Sequence, residues 1–514
     1  MSKTIIIIGA GLAGLSAALQ VAENGCNVKL VSSLPSERAQ SVMAEGGINA
    51  ALNTKDENDS PEEHFTDTIK AACGLADPNA VWGMTQAAPE LVHWLLKLGV
   101  KFNMSGYDDV DLRNFGGQKK KRTAFAQSDT GKQIMTAMID AVRRKEASGM
   151  VERFSHHSFL TLRLCGNICC GCVIRDEYSQ EIVELPGDAV IVATGGMHGL
   201  FGNTTGSLSN TGEVTAELFR LGVPLANGEM IQYHPTTVKC GGKRMLISEA
   251  ARGEGGRLFA MKDGKQWYFM EEKYPELGNL MPRDITAREI WKVSHESEVF
   301  LDMTEISEEI ISNKLSGLAD DCMTYLHKDI RKEPVSVLPG IHYFMGGILV
   351  DEQHRTPIQN LCAAGECCAQ YHGANRLGGN SLLGALYGGR VAAKSACEQA
   401  DVVDLSCATQ IDFPPASQIS EIKQLNKVMQ ETMGVVRNEN MLLNGIKTVQ
   451  ALTGNLPLLG MAVLKSALAR KESRGAHWRE DYPKSNDDDY LKTTVARFDG
   501  KQIQISFVPV PERR

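Results

Sequence analysis

Residues 4–31 read TIIIIGAGLAGLSAALQVAENGCNVKLV, and this stretch decides the fold. The β-branched run at 4–8 predicts a strand, the glycine-rich turn GAGLAG occupies 9–14, an apolar-periodic helix extends to about Glu23, and 27–31 predicts a second strand. Strand, glycine turn, helix and strand within about 30 residues are typical of a Rossmann-like unit that starts a parallel sheet. The fold class predicted from this stretch is therefore α/β.

The turn offers the groups that a bound dinucleotide needs. Gly9 allows the tight turn, Gly11 lets the backbone approach a pyrophosphate, and Gly14 lets the helix pack on the sheet. The second strand ends in Ser32 and Ser33, where an acidic residue usually binds the ribose hydroxyls. Either a serine takes over this contact or the contact is weaker.

Composition excludes several classes of protein. The 514 residues carry a net charge of −8 and are 43% apolar and 23% charged, which is typical of a globular protein rather than a disordered or fibrous one. The acidic balance argues against nucleic acid as the main partner, and the basic run at 119–122 is interpreted as a solvated loop. Because no apolar run approaches the roughly 20 residues of a bilayer span, we expect a cytoplasmic protein without direct membrane insertion.

Thirteen cysteines are scattered along the chain, which favours reduced thiols over a disulfide framework. The densest group lies in LCGNICCGC at 164–172 and has two interpretations, a metal site or a buried strand. Its spacing matches neither ferredoxin runs nor paired CxxC knuckles. We therefore expect a buried strand and no metal.

Later segments indicate that the nucleotide-binding domain is discontinuous. A strand at 188–193 ends in Thr194-Gly195-Gly196, and LCAAGE at 361–366 predicts a short strand before a helix that begins near Ser381. The predicted domains are a nucleotide-binding domain of residues 1–235 and 335–400, an insertion of residues 236–334, and a C-terminal helical domain and tail of residues 401–514.

Several further motifs follow one another along the chain. In order they are SVMAEGGINAAL (41–52), NFGGQKKKRTAFA (114–126), QYHPT (232–236), SEAARGEGG (248–256), MPRDITAR (281–288), HYFMGG (342–347), HGANRLGGNSL (372–382) and RGAHWREDYP (474–483). Together they resemble the flavoprotein subunit of succinate dehydrogenase and fumarate reductase over nearly the whole chain. The resemblance implies a split FAD-binding domain, an α+β capping domain as the insertion, and a cleft between them.

The resemblance also implies a set of catalytic and substrate-binding residues. A dicarboxylate needs cations or donors at both ends, and addition across its double bond needs a hydride on one face and a proton on the other. By the resemblance, reduced flavin passes a hydride from N5 to one carbon, Arg283 protonates the other, and Glu249 and Arg252 reload Arg283. The residues matching the substrate-binding positions are His234, Ser248, His342, Arg376 and Phe115, the last as an apolar wall.

The positions expected to contact FAD lie in the glycine turn, at the ends of the predicted strands, in the motifs at 41–52 and 372–382, and at Gln40 and Glu213. They are Gly9, Gly11, Ala13, Gly14, Ser32, Ser33, Gln40, Ser41, Glu45, Gly46, Gly47, Thr194, Gly195, Glu213, Glu366, Ser381 and Leu382.

Each of the residues expected to act in catalysis also has an ordinary structural interpretation. Glu249 and Arg252, three residues apart, form a pair common on helix surfaces, and the residues around Arg283 are typical of a helix cap. His372 is expected to hold its loop, and Arg244 with its neighbour Lys243 to be entrance or surface charges. The ordered set, rather than any single residue, carries the functional interpretation.

One departure from the family concerns the attachment of the flavin. In membrane-bound relatives a histidine six residues before the first glycine of the Gly46-Gly47 motif bonds covalently to FAD, and that position is Gln40 here. Glutamine cannot form the bond, so we expect non-covalent FAD. A covalent bond raises the flavin potential and favours succinate oxidation, so its absence favours fumarate reduction.

Alternatives remain at this stage. The related L-aspartate oxidases have a glutamate for the substrate ammonium where this chain has Phe115, which favours a dicarboxylate without an amino group. A catalytically idle flavin-binding subunit is disfavoured by the intact Arg283, Glu249 and Arg252, and a related enoate substrate stays open. The natural electron donor is either an iron–sulfur subunit, through which the protein would sit at the inner face of the membrane, or a small carrier.

Overall fold

The computed structural model describes residues 2–106, 109–399, 413 and 418–514. Its strands are β1 (Thr4–Ile8), β2 (Asn27–Ser32), β3 (Ile48–Asn49), β4 (Leu112–Arg113), β5 (Thr123–Ala124), β6 (Val151–Ser155), β7 (His157–Cys165), β8 (Ile168–Asp176), β9 (Ile182–Pro186), β10 (Ala189–Val192), β11 (Leu225–Ala226), β12 (Ile231–Cys240), β13 (Lys243–Leu246), β14 (Arg257–Lys262), β15 (Lys265–Trp267), β16 (Val299–Asp302), β17 (Val335–Ser336), β18 (Leu338–Phe344), β19 (Gly347–Leu349), β20 (Leu361–Ala363), β21 (Cys368–Ala369), β22 (Lys492–Phe498) and β23 (Ile503–Pro509). Its helices are α1 (Leu12–Glu23), α2 (Pro61–Ala71), α3 (Pro78–Leu98), α4 (Thr130–Ala147), α5 (Glu213–Arg220), α6 (Glu249–Gly253), α7 (Phe269–Lys273), α8 (Arg283–Val293), α9 (Glu308–Lys314), α10 (Ser316–Asp321), α11 (Asn380–Gln399), α12 (Ile419–Thr432), α13 (Glu439–Val449), α14 (Asn455–Ala469) and α15 (Asp487–Tyr490).

The central sheet is parallel and has the strand order β20-β10-β1-β2-β6. The four isoleucines of β1 are at most 3% exposed, because both faces of the sheet are covered. Helix α1 packs against α11, so the first and last segments of the predicted nucleotide-binding domain meet. The predicted α/β class and the strand, turn, helix and strand unit at the N-terminus are confirmed.

The glycine turn has the conformation that its sequence predicts. Gly9 has φ +112°, and a Cβ there would clash with the backbone oxygen of Ala193 in the loop after β10. A Cβ on Gly14 would in turn clash with the backbone oxygen of Gly9. Gly14 therefore allows the close packing of α1 on β1 that the sequence predicted.

The insertion has a hydrophobic core of its own. This core is built from residues between Ile247 and Val337, which come from the sheet β15-β14-β16-β17 and from the surrounding helices α6–α10. Phe115 joins this core from a much earlier part of the chain, and Val335 and Val337 join it from just beyond the predicted end of the insertion. A separate core supports a capping domain, whose boundaries at 236 and 334 stay a prediction.

The C-terminal segment is less purely helical than predicted. Helices α12–α14 pack on a core that includes Phe201, Phe219 and Phe344. Strands β22 and β23 then form a hairpin that extends the sheet β21-β19-β11-β22-β23. The boundary predicted at 400–401 lies outside the described residues.

One interpretation of the sequence is wrong. Arg122, the last residue of the basic run, is fully buried and pairs with Asp59 at 2.8 Å and with Asp67 at 3.0 Å. Only the lysines before it reach solvent. The partners lie more than 50 residues earlier in the chain, so a local reading of charge could not reveal them.

The cysteine-rich stretch forms the strand expected of it. Cys169, Cys170 and Cys172 are buried in β8. Among the described residues no group of three or more His, Cys, Asp or Glu is arranged to hold a metal ion. Within the same part of the chain no helix combines the length and the apolar character that crossing a bilayer requires.

Candidate functional site

A single cavity of about 890 Å³ runs from the glycine turn after β1 to the capping region. Its size is near the upper end of the range for small-molecule sites, about 300–1,000 Å³. Every site residue predicted from the sequence lines it except Gly14 and Arg252. Gly14 lies beneath the turn, and Arg252 lies behind Glu249. The structure thus brings together residues that are up to 373 positions apart in sequence, from Gly9 to Leu382.

The end of the cavity near the glycine turn has unsatisfied polar groups. Ser32 is 8% exposed, and its hydroxyl oxygen has no hydrogen-bond partner within the described part of the chain. Helix α1 begins here without an acidic residue in its first turn, and the Leu12 N–H donates to Ser41 Oγ at 3.2 Å. A buried hydroxyl and the N-terminus of a helix fit the ribose and pyrophosphate of the FAD that the sequence implies.

Two glutamates near this region have perturbed pKa values. Burial raises the pKa of Glu366 to about 7, and its Oε1 accepts a hydrogen bond from the Phe344 N–H at 3.0 Å. Burial, followed by the charge of Asp321 across the cleft, raises the pKa of Glu45 to about 8. Both carboxyls therefore take up a proton far more readily than an exposed glutamate.

Gln40 lies on the cavity wall, in a short 3₁₀ turn over Gln40–Met43. Its Oε1 accepts a hydrogen bond from the Ser207 N–H at 2.6 Å. The side chain therefore links this turn to the 203–211 loop. Its amide is anchored rather than free.

The centre of the opposite end is Glu249, whose two carboxylate oxygens contact different partners. Oε2 accepts from Arg283 through Nε at 2.8 Å and Nη2 at 2.6 Å. Oε1 accepts from Arg252 Nη2 at 3.2 Å and from the Gly116 N–H at 3.1 Å. The carboxylate thus bridges the two arginines, whereas the sequence interpretation as a surface helix pair would leave it exposed.

The charges of this cluster stabilise one another. Burial raises the pKa of Glu249, but the positive charges of Arg283 and Arg252 more than offset it, so that the pKa lies below its ordinary value. The side chain of Arg252 is 0% exposed, and its Nη1 donates a hydrogen bond to the backbone oxygen of Asn279 at 2.6 Å. Glu249 is therefore ionised between two guanidinium groups.

The remaining side of this end presents unpaired donors. Arg376 is 3% exposed and His234 is 0% exposed, yet Arg376 Nε and His234 Nε2 have no hydrogen-bond partner in the described ranges. Burial, followed by the charge of Arg283, lowers the pKa of His234 well below its ordinary value. Buried polar atoms without partners are costly, so a ligand that accepts hydrogen bonds is expected here.

His342 and Ser248 complete the polar lining. His342 Nδ1 is 2.8 Å from Thr205 Oγ1, and its ring contacts the ring of His234 edge to face at 5.1 Å between centroids. Burial, followed by the charges of Arg283 and Arg376, lowers the pKa of His342. Ser248 Oγ accepts a weak hydrogen bond from the Ala250 N–H at 3.4 Å at the start of α6.

Phe115 lines the cavity with an apolar ring, and its role as a wall beside the substrate stays a prediction. It is 2% exposed, and its ring lies about 3.0 Å from where a Cβ would stand on Gly46 or on Gly378. Arg244 and Lys243 border the cavity, and Arg244 donates to Thr237 Oγ1 at 3.0 Å. His372 does not line the cavity but lies behind Tyr343.

Four further residues at this end were missed by sequence reasoning. Gln232 Oε1 accepts from Arg283 Nη1 at 3.1 Å, Gly116 donates to Glu249, Thr205 orients His342, and Tyr343 underlies Arg376. Gln232 and Gly116 adjoin predicted residues within the QYHPT and NFGG motifs, so their position was a usable signal. Nothing in the sequence around Thr205 indicated its contact.

The electrostatic balance indicates the kind of ligand. Arg252 and Arg283 both pair with Glu249, and Arg376 lies near Arg283 over the ring of Tyr343, which leaves two positive charges uncompensated among these four charged groups. A small dianion would compensate both charges and supply acceptors for the unpaired nitrogens. The neighbouring Phe115 favours a ligand with an apolar middle.

Comparisons with known proteins agree with this arrangement. Residues 4–382 match the model of the FAD binding domain family, and residues 452–513 match the model described as the fumarate reductase flavoprotein C-terminus. The chain is 38% identical to the succinate dehydrogenase flavoprotein subunit of Bacillus subtilis, covering 100% of this chain and 98% of that protein. It is 32% identical to the 8-methylmenaquinol:fumarate reductase flavoprotein subunit of Wolinella succinogenes, covering 100% and 92%.

A solved structure extends the likeness to three dimensions. A mutant of the FrdA chain of E. coli quinol fumarate reductase superimposes with a TM-score of 0.90 at 27% identity, covering 99% of this chain and 97% of that one.

Proposed function

The chain belongs to the flavoprotein family of succinate dehydrogenases and fumarate reductases, which are FAD-dependent oxidoreductases, and from this premise we propose that it interconverts fumarate and succinate and favours fumarate reduction. The observation that carries the proposal is the bridge from Arg252 through Glu249 to Arg283. It lies at the same end of the cavity as the unpaired Arg376 and His234.

FAD is proposed to lie along the cavity from Ser32 and the glycine turn towards Glu45 and Glu366. When bound, it supplies the hydride that adds to one alkene carbon. We expect the attachment to be non-covalent, because Gln40 stands where a linking histidine would be and its amide is already hydrogen-bonded to Ser207.

Binding of the substrate is proposed to use both ends of the dianion. Arg376 can bind one carboxylate through two parallel N–H groups, while His234, His342 and Ser248 surround the remaining polar surface. Phe115 excludes water from the apolar middle of the molecule. Contacts to both carboxylates can hold the substrate with its double bond twisted and polarised towards the transition state.

Arg283 is proposed to donate the proton to the second carbon. Arginine is a poor acid in water, so the step needs a group that returns the proton at once. Glu249 contacts Arg283 at 2.6 Å through one oxygen and Arg252 at 3.2 Å through the other, so a proton leaving Arg252 can pass through this carboxylate to Arg283. Gln232 keeps the third nitrogen of Arg283 oriented.

The electron donor is proposed to be external. An iron–sulfur subunit is the default, since the relatives compared above are named as flavoprotein subunits, and a small carrier is the alternative. A cytoplasmic location, with attachment to the inner face of a membrane through that partner, stays a prediction.

The proposal is tested by anaerobic turnover of the purified, FAD-loaded protein with reduced viologen as donor. Fumarate-dependent oxidation of the dye, with succinate as the product, is the expected result. A parallel aerobic assay offers L-aspartate and measures peroxide. Peroxide production without fumarate reduction would overturn the proposal in favour of an aspartate oxidase.

A further inference from the structure

Arg376 is held in an unusual way for a buried arginine. Its side chain lies in the interior, yet no carboxylate among the described residues comes within ion-pair distance of its guanidinium group, and its Nε has no hydrogen-bond partner there. Its guanidinium carbon lies over the ring of Tyr343, 4.4 Å from the ring centroid. A π face can stabilise a cation that has lost its water.

The ring of Tyr343 is itself fixed by its surroundings. Its backbone in β18 pairs with Gln232, and its side chain packs in a small core with Leu75, Met230 and Ala374. The ring of His372 meets it edge to face at 5.3 Å between centroids. The tyrosine is 8% exposed and lines the cavity, so it is a rigid surface beneath the guanidinium group.

We infer that Tyr343 is a positioning residue for substrate recognition, which holds the Arg376 guanidinium over its ring so that the donors of Arg376 face the substrate carboxylate. The inference rests on the proposed function, because it assigns Arg376 to dicarboxylate binding. Stacking on a ring leaves the in-plane N–H groups of a guanidinium free, whereas an ion pair with a protein carboxylate would occupy them. The arrangement therefore stabilises the cation and keeps its donors available.

The ring, rather than the hydroxyl group, carries this role. Within the described part of the chain the Tyr343 hydroxyl makes no hydrogen bond to another residue, while the ring face lies against Arg376. Phenylalanine keeps a comparable π face, whereas leucine is apolar but smaller and has none. Tyr343→Phe therefore tests the hydroxyl group, Tyr343→Leu tests the ring, and a second Tyr→Leu substitution nearby measures the effect of lost packing.

The test measures binding of malonate, a dicarboxylate that cannot be reduced, to FAD-loaded protein through the change in flavin absorbance, together with the KM and kcat for fumarate. Tyr343→Leu is expected to weaken malonate binding and to raise the KM about tenfold, with kcat at saturating fumarate changed less than threefold. Tyr343→Phe is expected to stay within about threefold of the unsubstituted protein in all three quantities. Tyr371→Leu is the control for general loosening of this region, since Tyr371 is a buried tyrosine that contacts His372, is hydrogen-bonded to His354 and does not stack on Arg376.

Three outcomes would overturn the inference. One is unchanged malonate affinity in Tyr343→Leu, the second is a loss in Tyr343→Phe equal to that in Tyr343→Leu, and the third is an equal loss in Tyr371→Leu, which would indicate general loosening of the loop. If the unsubstituted protein itself does not bind malonate, the proposed function fails rather than the role of Tyr343. The two failures are therefore distinguishable.

Discussion

Arg283→Lys tests the proton donor with the charge preserved. Arg283 makes three hydrogen bonds, two to Glu249 Oε2 at 2.8 and 2.6 Å and one to Gln232 Oε1 at 3.1 Å. Lysine has one nitrogen and a shorter reach, so it cannot contact Glu249, Gln232 and a substrate carbon together. Losing a positioned general acid typically costs about 100- to 10,000-fold in rate, equal to about 3–5 kcal/mol of activation free energy.

The assay is anaerobic fumarate reduction with reduced viologen, accompanied by the FAD content of each preparation. We expect kcat to fall by that factor while the KM changes little, since Arg376 and His234 are untouched. Arg288→Lys is the matched control, because Arg288 lies in the same helix α8 and its guanidinium contacts the Trp478 ring at 4.0 Å, outside the cavity. A kcat for Arg283→Lys within about fivefold of the control would remove Arg283 from the role of proton donor.

Three further predictions concern the wall of the cavity, the flavin and pH. Phe115→Glu places an anion beside the dianion and is expected to raise the KM for fumarate by at least about tenfold, and unchanged kinetics would show that this side chain does not face the substrate. Denaturation in acid is expected to release all the flavin into the supernatant, and flavin that stays with the polypeptide would contradict the interpretation of Gln40. The free energy of unfolding is expected to fall as pH decreases below 6.5, because buried neutral histidines with lowered pKa values take up protons only on unfolding, each costing up to about 1.4 kcal/mol per pH unit. These histidines are His64, His198, His234, His342, His354, His372 and His477. Carboxyls with raised pKa values act in the opposite sense, and the two whose pKa values are raised to about 8 and about 7, Glu45 and Glu366, titrate in this range. Because the seven histidines outnumber these two carboxyls, a denaturant titration showing equal stability at pH 7.5 and 5.5 would contradict this account.

The fold was predictable where local pattern and backbone geometry coincide. The isoleucines of β1, the glycine turn and the helix after it are specified within 30 residues, and the structure agrees with them almost residue by residue. The hairpin of β22 and β23 was missed, because its strands have short alternating patterns beside strongly charged segments. Pairing with β11, more than 260 residues earlier, is what makes them part of a sheet.

The candidate site was predictable as a set of residues but not as a geometry. Motif order indicated Glu249, Arg252 and Arg283, yet nothing local showed that one carboxylate bridges both arginines or that the Gly116 N–H supports it. Tyr343 escaped notice because an aromatic residue in a buried strand is ordinarily part of a core. Tyr343 lies in β18 and Arg376 in the loop before α11, and only the folded chain brings the two together.

The most direct test of the central claim is a single turnover without any external donor. Protein whose bound flavin has been fully reduced is mixed anaerobically with fumarate in a stopped-flow instrument, and flavin absorbance and succinate are both measured. The account predicts reoxidation of the flavin with one succinate formed per flavin, and a much slower reaction in Arg283→Lys. Flavin that stays reduced in the presence of fumarate, or that reoxidises without forming succinate, would contradict it.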